Sequence, residues 1–306
     1  TLGEIKKYLT LKNRSKIEPT AVPNAGALHH DLQFGSLGNN NGQFLFSGYI
    51  CSNENNDIFV TDISNHRIQK FDSDGNHTLT FGRFGNFHGF FNNPHGILCD
   101  HNNHIFICDS SNHRIQKFDS SGNHLLSWGK YGEKEKDFNQ PVSLCQDKED
   151  YLYITEMANH RVQKFTSDGQ FVLSFGKEGK NNGELTAPTG ICYQNGTILT
   201  GESSSDRIQL FDMDGNFIKS FNYSKEKNSD LHGTSNIGID KKWYIYISEV
   251  WSNNLYILSK DFRLITPSSS PDNLKILFNR VCGITFAGQY MFVCDQPNHR
   301  VLRFRH

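Results

Sequence analysis

Apolar residues in this chain fall in short runs separated by polar clusters rich in Asn, Asp, Ser and Gly. In the clearest stretch, Ile97 to Cys99 is apolar and Asp100 to Asn103 is polar. Ile105 to Cys108 is apolar again, and Arg114 to Phe118 is mixed. A Ser-Ser-Gly-Asn cluster at 120 to 123 then precedes a fourth run, His124 to Trp128. Runs of strand length divided by turn residues predict a four-stranded antiparallel meander.

The pattern recurs. Ser64-Asn65-His66-Arg67-Ile68-Gln69-Lys70-Phe71 returns at Ser111 to Phe118, as Ala158-Asn159-His160-Arg161-Val162-Gln163-Lys164-Phe165, and as Ser204-Ser205-Asp206-Arg207-Ile208-Gln209-Leu210-Phe211. Weaker copies stand at Ser252 to Ile257 and Pro297 to Phe304. The Arg position, replaced by Leu in the fifth copy, falls at 67, 114, 161, 207, 255 and 300, so successive spacings are 47, 47, 46, 48 and 45. Self-similarity at such a period identifies a repeat architecture.

Each unit adds detail. The turn before the fourth run is Asp74-Gly75, Ser121-Gly122, Asp168-Gly169 or Asp214-Gly215, as a tight hairpin requires where φ is positive, and the fifth unit departs with Asp261-Phe262. Second runs such as Ile105-Phe106-Ile107-Cys108 do not alternate, so both faces are expected to be buried. Six such sheets around an axis make an all-β, six-bladed β-propeller of four-stranded antiparallel blades. The last unit stops after its third strand, and Leu28 to Gly35 resembles the fourth strands, so the ring is expected to close with this N-terminal strand in the last blade. Residues 1–25, with Leu2, Ile5 and Leu9 on one helical face, are expected to be a linker or short helix, and 26–306 the propeller. The chain does not begin with Met, which fits a fragment or a processed product.

The Asn-His-Arg-(Ile/Val)-Gln-Lys-Phe copies, with Phe-Gly-x-x-Gly and Pro-x-Gly-Ile signatures such as Pro94-His95-Gly96-Ile97 and Pro188-Thr189-Gly190-Ile191, resemble the NHL repeat over about residues 27–306. The domain is similar to the C-terminal propellers of TRIM-NHL proteins. That resemblance implies RNA recognition on one loop face, in post-transcriptional regulation.

Composition narrows the picture. Lys+Arg 31 against Asp+Glu 32 leaves a formal charge of -1, so no global basic excess marks a nucleic-acid or membrane partner, and any such partner needs a local patch. With 24 Phe, 11 Tyr and 3 Trp, the apolar mass is concentrated in aromatics, as strands favour. No apolar run is long enough for a membrane helix, and Thr1 to Lys7 lacks a secretory core. Five of the seven cysteines (Cys51, Cys99, Cys145, Cys192 and Cys282) lie at or beside one place in the repeat, and Cys108 and Cys294 match on second strands. Without a Cys-x-x-Cys they read as small core residues in a reducing, cytoplasmic compartment, and no zinc or other metal site is expected.

Asp62, Asp109, Glu156, Glu202 and Asp295 stand five residues before the marker Arg, with Glu249 before Leu255. Residues that recur in every blade are expected to serve the blade. Specificity is expected in the variable connections 82–95, 129–142, 176–189, 221–235 and about 267–282. The candidate RNA- or partner-binding residues there are Arg83, Phe84, His95, Lys130, Tyr131, Lys134, Lys177, Lys180 and Arg280, with Trp251 in the fifth repeat turn. Cations interleaved with aromatics suit single-stranded or hairpin-loop RNA through phosphate contacts and base stacking. Two of the loops balance Lys against Glu and Asp. The alternative is therefore a protein–protein module selecting partners or ubiquitination substrates for a larger TRIM-like chain.

Catalysis is not expected, nor a cofactor or a small-molecule substrate. A propeller lyase that completes peptide amidation resembles this fold and holds zinc with three histidines. Here the matching positions read Ser47, His95, Val142, Thr189, Ser235 and Cys282.

Overall fold

The computed structural model describes residues 28–204, 207–222, 233–249, 255–263, 265 and 278–305. The 1–25 segment and Trp251 lie outside the described residues.

Six antiparallel sheets surround an axis. Blade 1 runs Ser47–Ser52, Ile58–Asp62, Arg67–Phe71, His77–Phe81, and blade 2 runs Pro94–Cys99, Ile105–Asp109, Arg114–Phe118, His124–Trp128. Blade 3 is Pro141–Gln146, Leu152–Glu156, Arg161–Phe165, Phe171–Phe175, and blade 4 is Pro188–Gln194, Thr197–Glu202, Arg207–Asp212, Phe217–Asn222. Three strands of blade 5 are described, Thr234–Ile239, Ile245–Glu249 and Leu255–Leu258. In blade 6, Val281–Ala287, Tyr290–Asp295 and Arg300–Arg305 are completed by the N-terminal strand His29–Phe34, which pairs antiparallel with the last strand, Phe34 opposite Val301. First strands of successive blades touch in an unbroken ring, that of blade 6 meeting that of blade 1. The expected propeller and its mode of closure are both present. Among the described residues no helix is long and apolar enough to cross a membrane.

The second strands are buried on both faces, as their unalternating pattern requires. Between blades, an aromatic seam repeats. The last aromatic of one fourth strand packs on the third-strand Phe of the next blade: Phe34 on Phe71 at 4.8 Å, Phe81 on Phe118 at 5.1 Å, Trp128 on Phe165 at 6.0 Å and Phe175 on Phe211 at 4.8 Å. Each fully buried third-strand ring contributes roughly 1.5–3 kcal/mol by burial, and each ring pair about 0.5–1.5 kcal/mol more by its geometry. The Phe-rich composition is thus spent on holding blades together.

The hairpin glycines belong to the same seam. Gly122 has φ +80, and a Cβ there would lie 2.8 Å from the Phe81 ring of the preceding blade. The exception in blade 5 follows the rule by other means. Phe262 takes the left-handed conformation, φ 62, and stacks on Phe221 at 4.6 Å.

One alignment needs correction. Ser47 pairs with Asp62 as Pro94 pairs with Asp109, so Gly48 rather than Ser47 is the counterpart of His95. The shift arises because blade 1 carries no Pro to mark the strand start.

Candidate ligand-binding face

The described connections between second and third strands, and those between blades, open on one face. The repeated residues form its pedestal. In blade 2, Arg114 Nε donates to Asp109 at 2.7 Å, while its two terminal nitrogens reach the carbonyls of Asn86 and Phe87 at 2.8 Å and of Phe90 at 2.9 Å. Asp109 also accepts the Asn92 amide at 2.7 Å, and Gln116 donates to the Phe90 carbonyl at 2.7 Å. The fork of the guanidinium suits this task, since it offers donors in a fixed plane. Blade 1 repeats the arrangement with Arg67 on Asp62 and the carbonyls of Asn39, Asn40 and Gln43, and blade 3 with Arg161 on Glu156 and those of Glu133, Lys134 and Asp137. Burial pushes the Asp109 carboxyl above its ordinary range, opposed by Asn92, Asn112 and Arg114. The acids and arginines therefore hold the loops entering blades 1 to 4 in shape, as their recurrence implied.

On this pedestal the variable residues point outward in register. Arg83-Phe84, Lys130-Tyr131 and Lys177-Glu178 occupy equivalent positions, each opening with a short parallel bridge, Phe84 to Phe91, Tyr131 to Phe138 and Glu178 to Leu185. Phe84 is 66 % exposed and Tyr131 68 %. Each rests on the repeat histidine of the preceding blade, Phe84 on His66 and Tyr131 on His113, both at 4.9 Å between ring centroids. Leu37, 61 % exposed, is their counterpart in the loop entering blade 1. The 47-residue spacing 37, 84, 131 marks it as the same position of the repeat, a signal that goes with the aromatics Phe84 and Tyr131 only once the loops are aligned. Phe87, 73 % exposed, stands edge-on to Phe90 at 5.9 Å.

The cations differ in their partners. Lys130 Nζ lies 3.9 Å from Asp137, and Lys177 Nζ lies 3.5 Å from Glu184. Arg83 instead lies over the Phe90 ring at 4.1 Å, and among the described residues no carboxylate is within ion-pair distance of it. Positive charge is thus least offset on the loop entering blade 2. Lys134 and Lys180 have exposed side chains, and their carbonyls accept from Arg161 and Arg207.

His95 and Arg280 sit elsewhere. His95 is half-buried at the inner end of its loop, with Nδ1 3.0 Å from the Asn93 carbonyl and its ring 6.0 Å from Tyr49. Burial holds its pKa below the ordinary histidine value. Tyr49 of blade 1 brings its hydroxyl to 3.5 Å from the Ser235 carbonyl of blade 5, so its ring crosses the central space between blades that are not neighbours. The signal was available, for Tyr49 stands where other first strands have Gly96, Ser143, Gly190, Asn236 and Gly283. Arg280 is half-buried in the left-handed region, φ 65, in the same place as Phe46, Asn93, Gln140 and Ala187, which share that conformation. Its backbone does the same work, its carbonyl accepting the Gln296 amide at 3.3 Å.

Among the described residues, no group of three or more His, Cys, Asp or Glu side chains is arranged to hold a metal ion. The NHL repeat model matches residues 50–71 and 91–118, and the chain carries NHL repeats in a six-bladed propeller. No curated protein matches the sequence.

Solved structures share the fold. A catalytically inactive histidine-to-alanine variant of virginiamycin B lyase from Staphylococcus aureus, in complex with quinupristin, is 14 % identical, with TM-score 0.58, over 96 % of this chain and 86 % of that one. A streptogramin B lyase is 15 % identical, with TM-score 0.61, over 90 % and 97 %. A gluconolactonase from Xanthomonas campestris is 15 % identical, with TM-score 0.65, over 87 % of each chain. At these identities the likeness establishes the fold. It also corrects the expectation that catalysis is absent. That expectation rested on the missing triple-histidine site of one propeller enzyme and on the want of an evident nucleophile–base pair, whereas lyases and a lactonase are among the structures this propeller resembles, so those absences are no ground for setting enzymes aside.

Proposed function

We propose that the loop face over blades 1 to 3 binds single-stranded or hairpin-loop RNA, in post-transcriptional regulation in the cytoplasm. One observation carries the reading: Arg83 is stacked on Phe90, with no carboxylate partner among the described residues, in a loop that also exposes the rings of Phe84 and Phe87. A guanidinium so placed pairs with a phosphate, and neighbouring rings offer faces to unstacked bases. The recurrence of Leu37, Phe84 and Tyr131 at one register supports an extended ligand crossing successive blades. The resemblance to TRIM-NHL propellers supports the same ligand class.

The test is selection from a random RNA pool on the purified chain at about 50 and 200 mM salt, the range over which phosphate contacts weaken binding by powers of ten. An enriched motif whose affinity drops steeply with salt, and which Arg83→Glu abolishes at unchanged melting temperature, is expected. Failure to enrich at either salt overturns the reading and directs the same face to a protein partner.

A further inference from the structure

The opposite mouth of the propeller carries a different chemistry. All seven cysteines are free thiols, and two of them meet: Cys51 Sγ lies 2.9 Å from Cys99 Sγ. They stand on the first strands of blades 1 and 2, which pack side by side at the centre of the ring. Cys51 is buried, while Cys99 is half-buried and lines an open pocket of about 410 Å³ together with Ser52, Asn53, Asp100, His101 and Lys241. These residues lie at and beyond the ends of the first strands, away from the loop face.

We propose that Cys51 and Cys99 form a modification site for low-molecular-weight disulfides, which convert the pair into a reversible disulfide between blades 1 and 2. A disulfide needs a sulfur separation of about 2.05 Å, so the two atoms have to close by only about 0.9 Å. The pocket admits the reagent to Cys99, and Cys51 stands behind it as the resolving thiol. The steps balance. The Cys99 thiolate attacks one sulfur of RSSR, forming a Cys99–SR mixed disulfide and releasing one thiolate. Cys51, its proton lost to solvent base, then attacks Cys99 Sγ and expels the second. In sum, two protein thiols and RSSR give one protein disulfide and two RSH. Burial holds the Cys51 thiol well above its ordinary pKa, so the second step is the slow one.

The test incubates the native full chain with oxidised glutathione, unfolds it in denaturant with an alkylating agent to block residual thiols, and maps the peptides by mass. The expected result is a Cys51–Cys99 cross-link that reduced glutathione reverses, with Cys108, Cys145, Cys192, Cys282 and Cys294 alkylated. Cys51→Ala is expected to halt at one glutathione on Cys99. Retention of both thiols in wild type, or a cross-link to a different cysteine, overturns the proposal. The wild-type map decides it even if the variant folds poorly.

Discussion

The amide of Asn93, the residue before blade 2, donates to Nδ1 of His66 in blade 1 at 3.1 Å. The same bond joins Gln140 to His113 at 3.3 Å, Ala187 to His160 at 3.0 Å and Phe46 to His299 at 3.4 Å. The histidine of the repeat is therefore a link to the next blade, and it accepts only while Nδ1 carries no proton.

Acid is expected to loosen the links at His66 and His113. Burial holds His66 and His113 below the ordinary histidine pKa, so on lowering the pH the unfolded chain takes up protons first. Their contribution to stability is complete above about pH 6.5 and declines as pH falls toward their folded values. The raised carboxyls Asp62, Asp109 and Glu156 act with the opposite sign, so variants are needed to isolate the histidines. His66→Asn with His113→Asn keeps an acceptor that does not titrate. It should flatten the fall in melting temperature between about pH 7.5 and 5.5, and a slope equal to wild type would refute the link.

Arg114→Ala removes the fork that holds the loop entering blade 2 and leaves Asp109 buried without its cation. A loss of about 3–5 kcal/mol in urea unfolding is expected. Arg114→Lys should recover part of it, since an ammonium restores charge but not three carbonyl bonds. A lysine variant as stable as wild type would show that the fork geometry is idle.

Gly122 and Gly196 separate two causes of strain. Both have positive φ, but a Cβ at Gly196 meets nothing within 4 Å, whereas one at Gly122 strikes Phe81. Gly196→Ala should cost about 1–2 kcal/mol from conformation alone. Gly122→Ala should cost more, and Gly122→Val more again. Equal costs for the two alanines would mean that the seam yields to the extra carbon.

Phe84→Ala and Tyr131→Ala test the loop face directly. Each should lower affinity for a selected RNA by about 1–3 kcal/mol, the range for one lost stacking platform. The melting temperature should hold, because both rings are largely exposed. Unchanged affinity in both would take the arc out of the site.

The chain alone determined a great deal of this fold, because its information is local and written six times. Spacing of apolar runs gave strand number, Asp-Gly and Ser-Gly gave hairpins, and the resemblance of Leu28 to Gly35 to the fourth strands gave ring closure. It also separated the repeated acids and arginines from the variable loops. What tertiary structure decided depends on contacts between units, which no single repeat contains. Phe262 takes the turn position of a glycine because Phe221 of the preceding blade receives its ring. His95 and Arg83 share a loop in sequence, yet one turns to Tyr49 at the axis and the other to Phe90 at the surface. Cys51 and Cys99 are one repeat apart and become neighbours only because the ring curves their first strands together.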